Sequence, residues 1–148
     1  MQKKTNVALV QLCSSKDPAQ NLNQALHFIH SAKRRGADIV ALPETFLFLV
    51  ENKKASLASA ETLEGPSVKA LSDAAKKLRI WIHCGSLLLK KRTGDRRVRN
   101  TSILFSSDGK IRGTYEKIHL FDVKAGNRHY RESETCLLYT SPSPRDDR

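Results

Sequence analysis

The stretch Ile39–Leu49 reads IVALPETFLFL. Ten of its eleven side chains do not ionise, and most are suited to a core. The exception, Glu44, is a carboxylate directly behind Pro43. Ile39–Leu42 is the kind of short apolar run expected of a buried strand. Glu44 therefore falls just past a strand end. Burying an unpartnered carboxylate is costly. Either Glu44 reaches solvent there, or it is partnered and functional.

Upstream, Val7–Leu12 (VALVQL) is a second buried-strand pattern, and Ser14–Asp17 makes a turn. Asp17 can cap a helix with Pro18 at its first position. Leu22, Ala25, Leu26, Ile29 and Ala32 follow at helical spacing. The basic triplet Lys33–Arg35 suits the negative end of that helix, and Gly36 is a good stop. Downstream, residues 51–64 read as a loop with a short helix. Gly65-Pro66 opens another helix, with Val68, Leu71, Ala75 and Leu78 on one face. Ile80–Cys84 is a third strand. Leu87–Leu89 and Val98–Phe105 read as two further strands joined by a charged connection. Ser107-Asp108-Gly109 is a hairpin turn, and Ile111–Tyr115 begins another strand. Strand–helix alternation followed by a run of strands argues an α/β class. In open α/β sheets functional groups gather at the carboxyl ends of strands. Glu44 lies at one such end and Lys117 at another.

The chain has 148 residues, enough for one domain with a core. No stretch approaches the roughly 18–20 apolar residues of a membrane span, and MQKKTNVALVQLC lacks the features of a signal peptide. A soluble cytoplasmic protein with no membrane partner is expected. Three cysteines, Cys13, Cys84 and Cys136, form neither a CxxC pair nor an even set, which argues against a disulfide framework or a zinc site. The net charge of +11 comes in short clusters rather than one stripe, without a recognised binding motif. A basic, solvated surface with no nucleic-acid partner is the expectation.

Several stretches then become specific. ALPETF resembles the glutamate motif of the nitrilase, or carbon–nitrogen hydrolase, superfamily, and TYEKIHLFD resembles its lysine motif. The separation of Glu44 and Lys117, 117 − 44 = 73 residues, fits that pattern. VALVQL, LEGP (63–66), RNTSILFSSDGKI (99–111) and YRESET (130–135) also resemble the family in order. HLFDV with YRES-x-T looks most like the branch that includes deaminated glutathione amidase, near the omega-amidases. The resemblance implies the N-terminal part of an αββα four-layer sandwich over residues 1–135. It implies amidase chemistry on a small-molecule amide, with no cofactor and no metal, and a homo-oligomer when full length.

By the matched motifs Glu44 is the general base, Lys117 steadies the oxyanion, and Glu132 positions the substrate or the lysine. The apolar surroundings of Glu44 in LPETF give a reason for a raised pKa. His119 is expected to make a structural hydrogen bond, and Asn100 to bond backbone near the site. The nucleophile would be a cysteine thiolate well downstream of the lysine motif, and none of Cys13, Cys84 and Cys136 fits it. Residues 136–148 (CLLYTSPSPRDDR) read as a non-native or disordered tail. The chain is thus expected to be a fragment with an incomplete catalytic set, marginally stable and prone to aggregate. Two alternatives stand beside the amidase. One is a catalytically inactive pseudoenzyme or interaction module on the same scaffold. The other is a basic nucleic-acid-binding domain, whose binding would weaken steeply with salt.

Overall fold

A computed structural model of the chain describes residues 4–48, 53–91, 96–125 and 128–136. Five strands form one sheet in the order β1 (Val7–Leu9), β2 (Ile39–Ala41), β3 (Trp81–Leu89), β4 (Arg99–Phe105) and β5 (Ile111–Glu116). The first three run parallel, and β3, β4 and β5 pair antiparallel. A separate hairpin joins β6 (Asp122–Ala125) to β7 (Arg128–Arg131).

The helices start and stop where the capping chemistry places them. Helix α1 (Pro18–Arg34) is capped by Asp17, whose carboxylate accepts from the backbone N–H of Ala19 (2.9 Å) and Gln20 (3.1 Å). It ends at Gly36, whose φ of +83° suits a residue without a Cβ. Asn21, Ala25, Ile29 and Ala32 form its buried stripe. Helix α3 (Pro66–Leu78) begins beside Glu61, whose carboxylate accepts from the Ser67 N–H (2.8 Å) and hydroxyl (2.6 Å). The short α2 (Lys53–Ser59) lies in the stretch read as loop with a short helix.

Helices α1 and α3 lie side by side on one sheet face. Val40, Ile82, Cys84, Ile103 and Phe105 point into that layer and are fully buried, with Ile29, Leu71 and Ala75 opposite them. Each large apolar side chain buried this way contributes roughly 1.5–3 kcal/mol. Residues paired directly across strands share a face. The opposite face therefore carries Val7, Ile39 and Trp81 in one row and Leu9, Ala41, His83 and Leu104 in the next. Nothing among the described residues covers its outer end, and Leu9 is 82% exposed.

Two strand readings change. The regions read as separate strands, 80–84 and 87–89, are one strand, β3, interrupted by a bulge between Cys84 and Leu87. The first strand is shorter than Val7–Leu12, although Val10 still donates to the Ala41 carbonyl at 2.9 Å. The β6–β7 hairpin was not expected. Of the tail read as 136–148, Cys136 is buried and its N–H donates to the Glu132 carbonyl at 2.8 Å, and residues 137–148 lie outside the described residues.

Candidate active site

Glu44 stands immediately past β2, in a turn that the backbone is shaped to make. The chain leaves β2 across Gly85 of β3. A Cβ on Gly85 would lie 2.0 Å from the Leu42 carbonyl oxygen and 2.7 Å from Pro43 backbone atoms, so only glycine permits this crossing. Thr45 then adopts φ +46°, a left-handed conformation costing a β-branched residue about 1–2 kcal/mol. Phe46 and Leu47 turn inward and are buried, while the Glu44 side chain turns outward and is 56% exposed. The apolar environment expected around the Glu44 carboxylate is therefore absent. The run's apolar side chains enter the core and leave the carboxylate outside it.

Lys117 follows β5, and its backbone N–H donates to the Asn100 carbonyl at 2.8 Å. That bond carries the ladder one residue past β5 and fixes the lysine beside β4. Glu132 opens a 3-10 turn, Glu132–Glu134, after β7. Its N–H donates to the Phe121 carbonyl (3.2 Å), and its Oε2 accepts from the Phe121 N–H (2.7 Å). Asp122 accepts from the N–H (3.0 Å) and hydroxyl (2.6 Å) of Ser133. These bonds fasten the base of the hairpin to the turn that carries Glu132.

The three residues meet. Lys117 Nζ donates to Glu44 Oε1 at 3.0 Å and to Glu132 Oε2 at 3.0 Å. Asn100 Nδ2 donates to Glu44 Oε1 at 2.8 Å and to Glu132 Oε1 at 3.1 Å. One ammonium and one amide thus span two carboxylates. Asn100 does not serve the backbone through its side chain, as was expected of it. It bridges both acids instead. A polar amide near the start of a largely buried strand, RNTSILF, is the sequence signal for that role. His119, expected to make a structural hydrogen bond, is exposed and makes none among the described residues.

The two carboxylates differ. The Glu132 side chain is only 9% exposed and both its oxygens are engaged. Burial pushes its pKa up, but the Phe121 N–H, the Asn100 amide and the Lys117 ammonium together hold it below the ordinary value. In Glu44 only Oε1 is engaged. Among the described residues nothing donates to Oε2, and the side chain opens to solvent. Partial burial works against the Lys117 charge, but hydrogen bonds to Glu44 and Glu132, and their charges, outweigh it and raise the lysine pKa. Lys117 is thus a persistent cation, suited to donate to negative charge rather than to accept protons. The arrangement combines a fixed cation, a tightly held acid and an acid with an open oxygen.

Of the three cysteines only Cys136 touches this geometry among the described residues, its thiol donating to Glu132 Oε1 at 3.9 Å. Cys84 is buried on the helix-covered face, and burial pushes its thiol far above the usual range. Cys136 is buried behind Glu132, and burial, with the Glu132 charge, pushes its thiol up to about 12. Cys13 is exposed and makes no hydrogen bond to the site among the described residues. No group of three or more His, Cys, Asp or Glu is placed to hold a metal ion among the described residues. None of the described helices is long and apolar enough to cross a membrane.

Comparison with known proteins matches residues 6–139 to the family described as Carbon-nitrogen hydrolase. The chain is 33% identical over 135 residues to a deaminated glutathione amidase of Yersinia enterocolitica, covering 90% of this chain and 47% of that protein. It is 34% identical over 145 residues to a chloroplastic omega-amidase of Arabidopsis thaliana, covering 95% and 38%. The chain spans about half or less of the length of these curated relatives. Among solved structures, the C. elegans NitFhit protein superposes with a TM-score of 0.79 at 28% identity, covering 95% of this chain and 35% of that one.

Proposed function

This chain belongs to the carbon–nitrogen hydrolase family, and from that premise we propose that it supplies the Glu–Lys half of an amidase acting on a small carboxamide. The observation that carries this reading is the contact of Lys117 with both Glu44 and Glu132 at 3.0 Å, across 73 and 15 residues of sequence. Substrates of the deaminated glutathione or omega-amide type are the favoured class, because those are the names of the relatives it resembles.

In this mechanism Glu44 takes the proton of a cysteine thiol from outside the described residues, and the resulting thiolate attacks the amide carbonyl carbon. The oxygen gains negative charge, and Lys117 is the cation beside it. The leaving nitrogen takes a proton from the acid formed at Glu44 and departs as ammonia, leaving a thioester. Glu44 then takes a proton from water as that water attacks the thioester. The C–S bond breaks, the carboxylic acid is released, and the departing thiolate takes the proton back from Glu44, restoring thiol and carboxylate. Net, amide and water become acid and ammonia. Glu132 holds Lys117 and does not exchange protons, since both its oxygens are committed.

Ammonia release from a dicarboxylic acid monoamide by the full protein carrying this chain tests the proposal. Glu44→Gln and Lys117→Ala are each expected to lower kcat by roughly 10²–10⁴-fold. Near-normal turnover in either variant removes that residue's role. The positions of the three cysteines favour a second reading, a catalytically silent scaffold. Wild-type protein that releases no ammonia from any carboxamide tried supports that alternative.

A further inference from the structure

We propose that Ser86 is a positioning residue for Glu44, its hydroxyl holding the Thr45 backbone in the left-handed turn that aims the Glu44 carboxylate at Lys117. This rests on the reading of Glu44 as a working carboxylate. Ser86 is a buried polar side chain in the β3 bulge, within the otherwise largely apolar strand WIHCGSLLL. A buried hydroxyl needs a partner. The partner of Ser86 is 41 residues away, the Thr45 N–H, which donates to Ser86 Oγ at 2.9 Å.

Thr45 is the residue whose backbone is out of place. A β-branched side chain at φ +46° persists only where its surroundings hold it. The hold comes from β3 and β4 in series. Ser102 Oγ donates to the Gly85 carbonyl at 2.6 Å and fixes the peptide entering Ser86. Gly85, lacking a Cβ, lets Leu42 and Pro43 lie against the same peptide. Ser86 then grips the next turn of that segment. If the grip is lost, Thr45 can relax toward an ordinary conformation, and its neighbour Glu44 turns with it, away from Lys117. A hydroxyl that merely satisfies a buried N–H would have no such consequence.

The test follows the side-chain amine of Lys117 by NMR across its titration in the intact chain. The charged groups facing that amine are Glu44 and Glu132. Glu44→Gln sets the reference, since losing one of the two negative charges that face it lowers the lysine pKa. Ser86→Ala is expected to reproduce most of that fall. Thr45→Gly, which removes the conformational penalty, is expected to restore most of the wild-type value when added to Ser86→Ala. If Ser86→Ala does not fold, Ser86→Cys, close in volume with a weaker acceptor, is read the same way. A wild-type Lys117 titration in the Ser86 variant, with Glu44→Gln shifted, overturns the inference and leaves the proposed function standing. Failure of Thr45→Gly to restore the titration also overturns it. If Glu44→Gln itself leaves Lys117 unmoved, the pairing beneath the proposed function falls, and the inference falls with it.

Discussion

The two faces of the five-stranded sheet are made by the same alternation of side chains but meet different surroundings. On one face Val40, Ile82, Ile103 and Phe105 are sealed beneath α1 and α3. On the other, Leu9, Val7 and Tyr115 remain exposed. Asn100 alternates with the sealed residues of β4, so it opens on this second face, and Glu44, Lys117 and Glu132 gather round it. The difference separates two jobs. The covered face holds the fold together, and the open face brings polar groups together at its end while leaving apolar surface beside them. Substitutions on the two faces should therefore fail in different ways.

The largest effect is expected on the sealed face. Phe105→Ala removes a fully buried ring and should destabilise the chain by about 3–5 kcal/mol, measured by chemical denaturation. A loss below about 1 kcal/mol would mean that this face is not the core. Gly85→Ala comes next. The added methyl meets backbone rather than a flexible side chain, and overpacking of that kind costs about 1–3 kcal/mol or more. It should also disturb the Glu44 turn, which Phe105→Ala should not.

Glu132→Gln sharpens the contrast through pH. The folded carboxyl has a lowered pKa, so its ionised form stabilises the fold. That contribution is complete above the unfolded glutamate value of about 4.3. It is lost as pH falls through the lower folded value. Wild type should exceed Glu132→Gln by about 1–2 kcal/mol near neutrality, with the gap closing in acid. A gap that widens in acid would reverse the sign assigned here. The smallest effect belongs to the open face. Leu9→Thr should change stability by no more than about 0.5 kcal/mol, while reducing self-association in light scattering. A large loss of stability would show that Leu9 is covered.

What could be read from the sequence follows local chemistry. Helix α1 was legible because Asp17, Pro18, the apolar spacing and Gly36 each act within a few residues. Glu44 was legible as an oddity because it interrupts an apolar run. Its surroundings were not, because the direction of each side chain depends on Thr45 and Gly85, which the run does not reveal. Asn100 was misread for a related reason. Its partners lie 56 and 32 residues away, and only the sheet order brings them together. The β6–β7 hairpin lacks an apolar alternation, and the bonds of Phe121 and Asp122 to the 3-10 turn are what fasten it.

The most direct measurement is zero-length carbodiimide coupling of carboxylates to amines, followed by peptide mass spectrometry. The open-face site requires Lys117 to be joined to Glu44 or Glu132, the acids its ammonium touches. Coupling of Lys117 only to other carboxylates, while Glu44 and Glu132 couple elsewhere, would contradict the shared site and everything built on it.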